Sequence, residues 1–213
     1  MPWSDAGSVR STVLSMKASG FAGRIFIVVP ADHQEILQGV EADYLRSAGF
    51  TSTDALKKMA AVTDTDYVVT YSKGFPLDLG DNAFGRMMQI CDDTGAGMVY
   101  SDYFERKAET LSPHPVIDYQ EGSLRDDFNF GSVIFYTAKA FRDACSRMDE
   151  DYSFAGLYDL RLKISQARPL IHIQELLYTE VETDTRKSGE KQFDYVDPRN
   201  RAVQVEMEKA CTS

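Results

Sequence analysis

Cysteine is scarce in this chain. Only Cys91, Cys145 and Cys211 occur, an odd number with no C-x-x-C spacing, so neither a disulfide framework nor a zinc ribbon is encoded. Free thiols suit a reducing compartment, and the expected localisation is cytoplasmic, with peripheral attachment at the inner face of a membrane left open. Basic residues number 23 against 33 acidic ones, for a net charge of −10. That deficit argues against a general nucleic-acid binder and against a polybasic membrane anchor. No apolar run approaches the roughly 20 residues of a transmembrane helix, and no signal peptide opens the chain. Familiar catalytic signatures are missing as well. There is no G-x-x-x-x-G-K-[ST], no G-x-G-x-x-G after a strand, and no G-x-S-x-G. His33, His114 and His172 are too far apart for an H-x-x-x-H metal pair. His172, inside an apolar run, reads as a satisfied core residue.

What remains is ordinary globular material: 213 residues, 43% hydrophobic and 26% charged. A chain of this length buries roughly 70% of its unfolded surface without a covalent or metal staple. Helix and strand alternate along it. Val9, Val13, Leu14 and Met16 share one face of a helix over 6–19, and RIFIVV (24–29) is a short β-branched run of the kind buried on both faces. Thr53 can cap a second helix, DYVVTY (66–71) is the next strand, and a helix over 81–93 leads to the strand GMVYS (97–101). Residues 104–125, with Pro113, Pro115 and Gly122, read as a long connection, with a short strand near Val116 at most. A strand over 132–136, helices over 139–147 and 157–167, strands over 169–173 and 175–180, and a final helix over 201–210 complete the pattern. Alternation of this kind predicts an α/β fold with a mostly parallel central sheet flanked by helices. The organisation expected is a single domain over 1–213. Residues 1–103 form a nucleotide-binding half, 104–181 an acceptor-side half, and 182–213 a C-terminal loop and helix.

The visible chemistry is carboxylate chemistry. Asp102 follows the strand MVYS directly, and open α/β sheets bind ligands outside the carboxyl ends of their strands. A carboxylate there suits a hard divalent cation, Mg or Mn, that shares its shell with substrate phosphates; it also suits a plain turn. Asp159, in LYDLRL, is either a general base or a first-turn acid complementing a helix dipole. Residues 185–201 carry a net charge of +2 in a chain whose remainder is −12. Within them Arg186, Lys187 and Lys191 (TRKSGEK) suit a loop closing over phosphate.

The order of MPWSD, DYVVTY, GMVYSDY, DDFNFGSVIFY and GLYDLRLKIS resembles the family 2 glycosyltransferases of the GT-A fold, and SGEKQFDYVDPRNRAVQVEME resembles a bacterial subgroup. The resemblance implies transfer of a sugar, with inversion, from a nucleotide-diphosphate donor to an acceptor hydroxyl. A UDP-sugar is the expected donor and a saccharide or lipid-linked acceptor its partner, in bacterial polysaccharide or glycoconjugate synthesis with a divalent metal. It implies that Pro2, Trp3 and Asp5 cradle the base and ribose, that Asp102 contacts metal or sugar, that Phe128 to Gly131 precede the acceptor-side strand, and that Asp159 is the second acid of an E-D-Y-D-L-like helix start. Three departures stand out. TYSKG replaces the usual D-x-D, with Asp78 the next acid; Gly156 and Leu157 replace the usual acids, leaving Asp159, Asp126 or Asp127 as base; and only Met1 precedes Pro2, so the usual first strand is missing. A sugar-nucleotide-binding relative without catalysis, and a nucleotidyltransferase of related architecture, are the competing expectations.

Overall fold

The computed structural model describes residues 1–182 and 201–212. Its elements run α1 (Ala6–Ala18), β1 (Phe26–Val29), β2 (Asp43–Arg46), α2 (Thr53–Val62), β3 (Tyr67–Tyr71), β4 (Leu77–Leu79), α3 (Ala83–Thr94), β5 (Met98–Lys107), β6 (Thr110–His114), β7 (Val133–Thr137), α4 (Ala138–Ser146), α5 (Gly156–Ser165), β8 (Leu170–Glu182) and α6 (Arg201–Thr212). The described strands form two sheets. One is the parallel pair β1–β2; the other has the order β3-β7-β5-β8-β4, with β6 added to the distal half of β5. The large sheet is mixed rather than mostly parallel: β5 and β8 run parallel, while β3–β7, β5–β7, β4–β8 and β5–β6 are antiparallel. Among its pairs β5–β6 is a hairpin, and the others join strands that are not consecutive in the chain.

Period-two alternation divides the core into two layers. On β5, Met98 and Tyr100 face α2, α4 and α5, where Leu56, Phe141 and Leu160 are buried; Val99 and Tyr103 face α1 and α3, where Val13, Phe84 and Met87 are buried. β8 is one strand, not two, and its register against β5 slips around Asp102. Two helix starts bear on the site. Asp5 caps α1, its carboxylate accepting the Ser8 N–H at 2.9 Å. The start of α5 is capped from far away in sequence: Glu206 of α6 accepts the N–H groups of Ser153, Phe154 and Ala155 at 3.1, 2.7 and 3.1 Å. Burial works against its ionised form, but the three amides outweigh it and hold the carboxyl below the ordinary glutamate range.

Candidate functional site

The N-terminal residues lie along β1. Val28 donates its N–H to the Met1 carbonyl at 2.8 Å and accepts that of Trp3 at 2.9 Å, so Pro2 forms a parallel bridge with Val28. This sets the Trp3 ring against His33, centroids 4.4 Å apart, with Tyr44 6.5 Å from Trp3. The three half-buried rings make an aromatic shelf that Tyr44 anchors on β2. Asp5 stands next to it, held below the ordinary carboxylate range chiefly by its Ser8 N–H bond, so one of its oxygens is committed to the α1 cap.

The loop after β3 touches this segment. A Cβ on Gly74 would lie 2.8 Å from that of Ser4, so glycine permits the close approach. Ser72 donates its N–H to the Ser132 carbonyl, and Lys73 is exposed at the tip. Asp78 lies past the loop in β4, paired with Arg106 at 2.9 Å.

A buried carboxylate that no sequence motif marks lies behind Lys73. Glu180, in β8, is opposite Leu77 on one side and Glu105 on the other, and is 6% exposed. Its Oε1 has no hydrogen-bond partner among the described residues, and Ser132 Oγ faces it without closing a bond of good geometry. Burial pushes the Glu180 carboxyl up and Glu105 adds to the rise, while Ser132, Lys73 and His114 pull the other way. His114 stacks on Tyr103 at 4.6 Å and meets the Asn129 amide at 3.3 Å. The FNFG segment completes the wall. Gly131 has φ +74°, and a Cβ there would fall 2.2 Å from the Tyr178 hydroxyl, which accepts the Ser132 N–H at 2.8 Å.

The other anticipated residues lie elsewhere. Asp102 does not follow a strand, because β5 continues to Lys107; it sits at the bulge. Its Oδ1 accepts the Val116 N–H at 2.8 Å and lies 2.9 Å from His172 Nε2, while His172 Nδ1 lies 2.7 Å from Asp118 Oδ1. His172 stacks on Tyr100, whose hydroxyl donates to the Ile117 carbonyl at 2.8 Å. This network ties residues 116–118 to the sheet. With both ring nitrogens facing carboxylates, the donor set does not fit a metal ion, and among the described residues no three His, Cys, Asp or Glu side chains converge on a possible metal position. Asp102→Asn should therefore lower the melting temperature by about 4–8 °C, as expected for weakening a charged hydrogen-bond network in a chain of this size, and leave nucleotide affinity within twofold. Calorimetry and a binding titration check this; lost affinity at unchanged melting temperature would restore Asp102 to the site.

Asp159 is the fourth residue of α5, because the helix begins at Gly156. It points inward, 1% exposed, and pairs with Lys163 at 2.7 Å. Its carboxylate is committed to the Lys163 ammonium. Asp127 is exposed, and its bond to Arg125 holds it below the ordinary aspartate range. Arg186, Lys187 and Lys191 lie outside the described residues.

No family model matches the chain, and no curated protein matches it. Solved structures do. The S. aureus TarS 1-349 structure superposes with a TM-score of 0.60 at 10% identity, over 84% of this chain and 58% of TarS 1-349. The chain has a GT-A-like fold. TarS 1-349 in complex with UDP-GlcNAc gives 0.59 at 8% identity over 87% of this chain and 58% of that one. The 4-diphosphocytidyl-2C-methyl-D-erythritol synthase of Anaerococcus prevotii gives 0.53 at 9% identity over 78% of each chain. This chain thus spans somewhat over half the length of TarS 1-349.

Proposed function

We propose that the chain binds a nucleotide-diphosphate sugar, most simply a UDP-sugar, and transfers the sugar with inversion to an acceptor hydroxyl. One observation carries the reading. The aromatic shelf of Trp3, His33 and Tyr44 and the Lys73–Glu180 cluster adjoin through the Ser4–Gly74 contact, so a base stacked on the shelf would direct its diphosphate toward Lys73. The binding of UDP-GlcNAc and UDP by TarS 1-349 supports it on the side of the fold.

In this mechanism the acceptor oxygen attacks the anomeric carbon as the bond to the diphosphate oxygen breaks, and a single displacement inverts the centre. Lys73 neutralises charge developing on the leaving diphosphate. Glu180 takes the hydroxyl proton. Its environment preserves proton affinity, which a base working near neutral pH needs, whereas Asp127 is held acidic by Arg125 and Asp159 is closed off by Lys163. The anticipated acids being tied up in ion pairs favours a second reading, a sugar-nucleotide-binding protein without transfer.

Trp3 is the only tryptophan. Saturating UDP should quench its fluorescence by a fifth or more, and an intact-donor assay with a panel of sugar nucleotides and saccharide acceptors should show transfer. Quenching without transfer selects the second reading. Calorimetric binding without quenching removes Trp3 from the site.

A further inference from the structure

Residues 116–131 are fastened at two places. At the far one, Arg161 donates to the Ser123 and Arg125 carbonyls at 2.6 and 2.7 Å, and the Tyr158 hydroxyl donates to the Leu124 carbonyl at 2.6 Å. Neither group changes charge near neutral pH: arginine keeps its proton, and burial above all pushes Tyr158 up to about 12. At the near one, the Tyr100 hydroxyl donates to the Ile117 carbonyl and Asp102 Oδ1 accepts the Val116 N–H, each at 2.8 Å. His172 completes it, with Nε2 2.9 Å from Asp102 Oδ1 and Nδ1 2.7 Å from Asp118 Oδ1. The His172 side chain is 3% exposed and that of Asp118 is 71% exposed.

Carboxylate oxygens accept and do not donate, so both contacts are hydrogen bonds only while the ring carries two protons. A neutral ring keeps one of them and turns a lone pair toward the other oxygen. Histidine is the side chain that ordinarily gains and loses its charge between pH 5 and 8. The groups that face the ring are Asp102 and the Tyr100 ring from β5, and Asp118 from the 116–131 segment. The bond to His172 is the chief cause that holds Asp118 below the ordinary aspartate range, and burial pushes the Tyr100 hydroxyl up, so it stays a donor. Gln174, which donates to Asp118 Oδ1 at 3.4 Å, is neutral. Among the described residues neither Asp102 nor Asp118 is ion-paired with a lysine or an arginine. The ring is the cation that holds them.

We infer that residues 116–131 form a pH-sensitive strap, seated while His172 is charged and released at Asp118 when the ring is neutral. Asp102 is fixed in β5 and bonded to the Val116 N–H, so Asp118, out in solvent, is the partner that swings away. Release reaches the wall built by the FNFG segment. Tyr119 follows Asp118, and its ring lies edge-on to Phe128 at 5.8 Å and 6.0 Å from Phe130. Asn129, between those two, meets His114 at 3.3 Å. The seat is firmest on the acid side of neutrality, where the ring and both carboxylates are charged, and it weakens as pH climbs and the ring gives up one proton. The inference is independent of any reading of catalysis.

Backbone nitrogen relaxation of the unaltered chain, measured at about pH 5.5 and about pH 8.5 on either side of the ordinary histidine range, tests it. The order parameters of Ile117, Asp118 and Tyr119 should fall from about 0.85, the value of rigid backbone, to below about 0.6. Those of Val99 and Ile171 in the sheet should hold, and the His172 ring nitrogens should change over the same pH interval as the strap. Asp118→Ala, at an exposed position, should leave the strap loose at both pH values. Asp118→Asn should keep it seated at both, because an amide can accept from a ring N–H or donate to a ring lone pair. Order parameters that agree within about 0.1 at the two pH values in the parent overturn the inference, as does a pH step that survives in Asp118→Ala. So does an equal loss of order at Val99 and Ile171, which would make the change general rather than confined to the strap.

Discussion

Glu180→Gln should reduce sugar transfer by about 10²–10⁴-fold, the usual contribution of a general base, while leaving UDP affinity within threefold. The same substitution should stabilise the fold at high pH. Glutamate ordinarily titrates at 4.5, and burial raises Glu180 above that in the folded chain, so the folded state binds the proton more tightly than the unfolded one. Stability from this group is therefore greatest below pH 4.5 and declines as pH climbs through the folded value. Glutamine keeps the shape and removes the charge. Its melting-temperature advantage over the parent should grow from near zero at pH 4.5 to about 2–5 °C at pH 8. Thermal melts across pH, beside transfer and titration assays, separate the two roles. Unchanged transfer with the pH-dependent gain intact would make Glu180 a buried structural acid. A flat difference in melting temperature would show that burial does not govern its titration.

Gly156→Ala should lower the melting temperature by about 6–12 °C. The added Cβ would meet Thr51 O at 2.5 Å, Thr53 N at 2.7 Å and Ser52 C at 2.8 Å, all of them backbone atoms that cannot swing aside. The start of α5 would have to withdraw from the start of α2, loosening the Thr53 N–H bond to the Tyr152 carbonyl and the Tyr152 N–H bond to Thr53 Oγ1. Overpacking of this kind costs about 1–3 kcal/mol, before the lost hydrogen bonds. Gly156→Asp should be worse, because the space for an acid at this helix start is filled by the α2 backbone. Restoring the charge there should therefore not restore a base. A melting temperature within 2 °C of the parent for Gly156→Ala would show that the two helix starts separate at little cost.

The regular elements were legible where hydrophobic pattern and length agreed. RIFIVV, DYVVTY and GMVYS are strands because their β-branched and aromatic runs fill both core layers, and the six helices among the described residues fall close to where their apolar stripes put them. The β5–β6 hairpin was not legible. Its turn, Lys107-Ala108-Glu109-Thr110, lacks the Asn-Gly or Asp-Gly signal, and Ala108 adopts φ +51° without being glycine. Missing that hairpin made Asp102 look like the residue after a strand when it lies in the middle of one, and it contributed to the expectation of a parallel sheet. Asp159 failed for a different reason. The helix that begins at Gly156 is buried from Tyr158 through Ile164, so its fourth residue meets the core and Lys163 and not solvent. Glu180 lay hidden in an alternating strand, where an acid reads as solvent-facing. Only the pairing of β8 with both β4 and β5 buries it.

The Glu206 carboxylate ties the last helix to the middle of the chain. Three consecutive amides at 153–155 depend on one side chain that is some fifty residues distant in sequence. The wall built by α5 is therefore finished only when the closing twelve described residues have docked. During synthesis this corner of the molecule would stay frayed until α6 emerges, however early the sheet assembles.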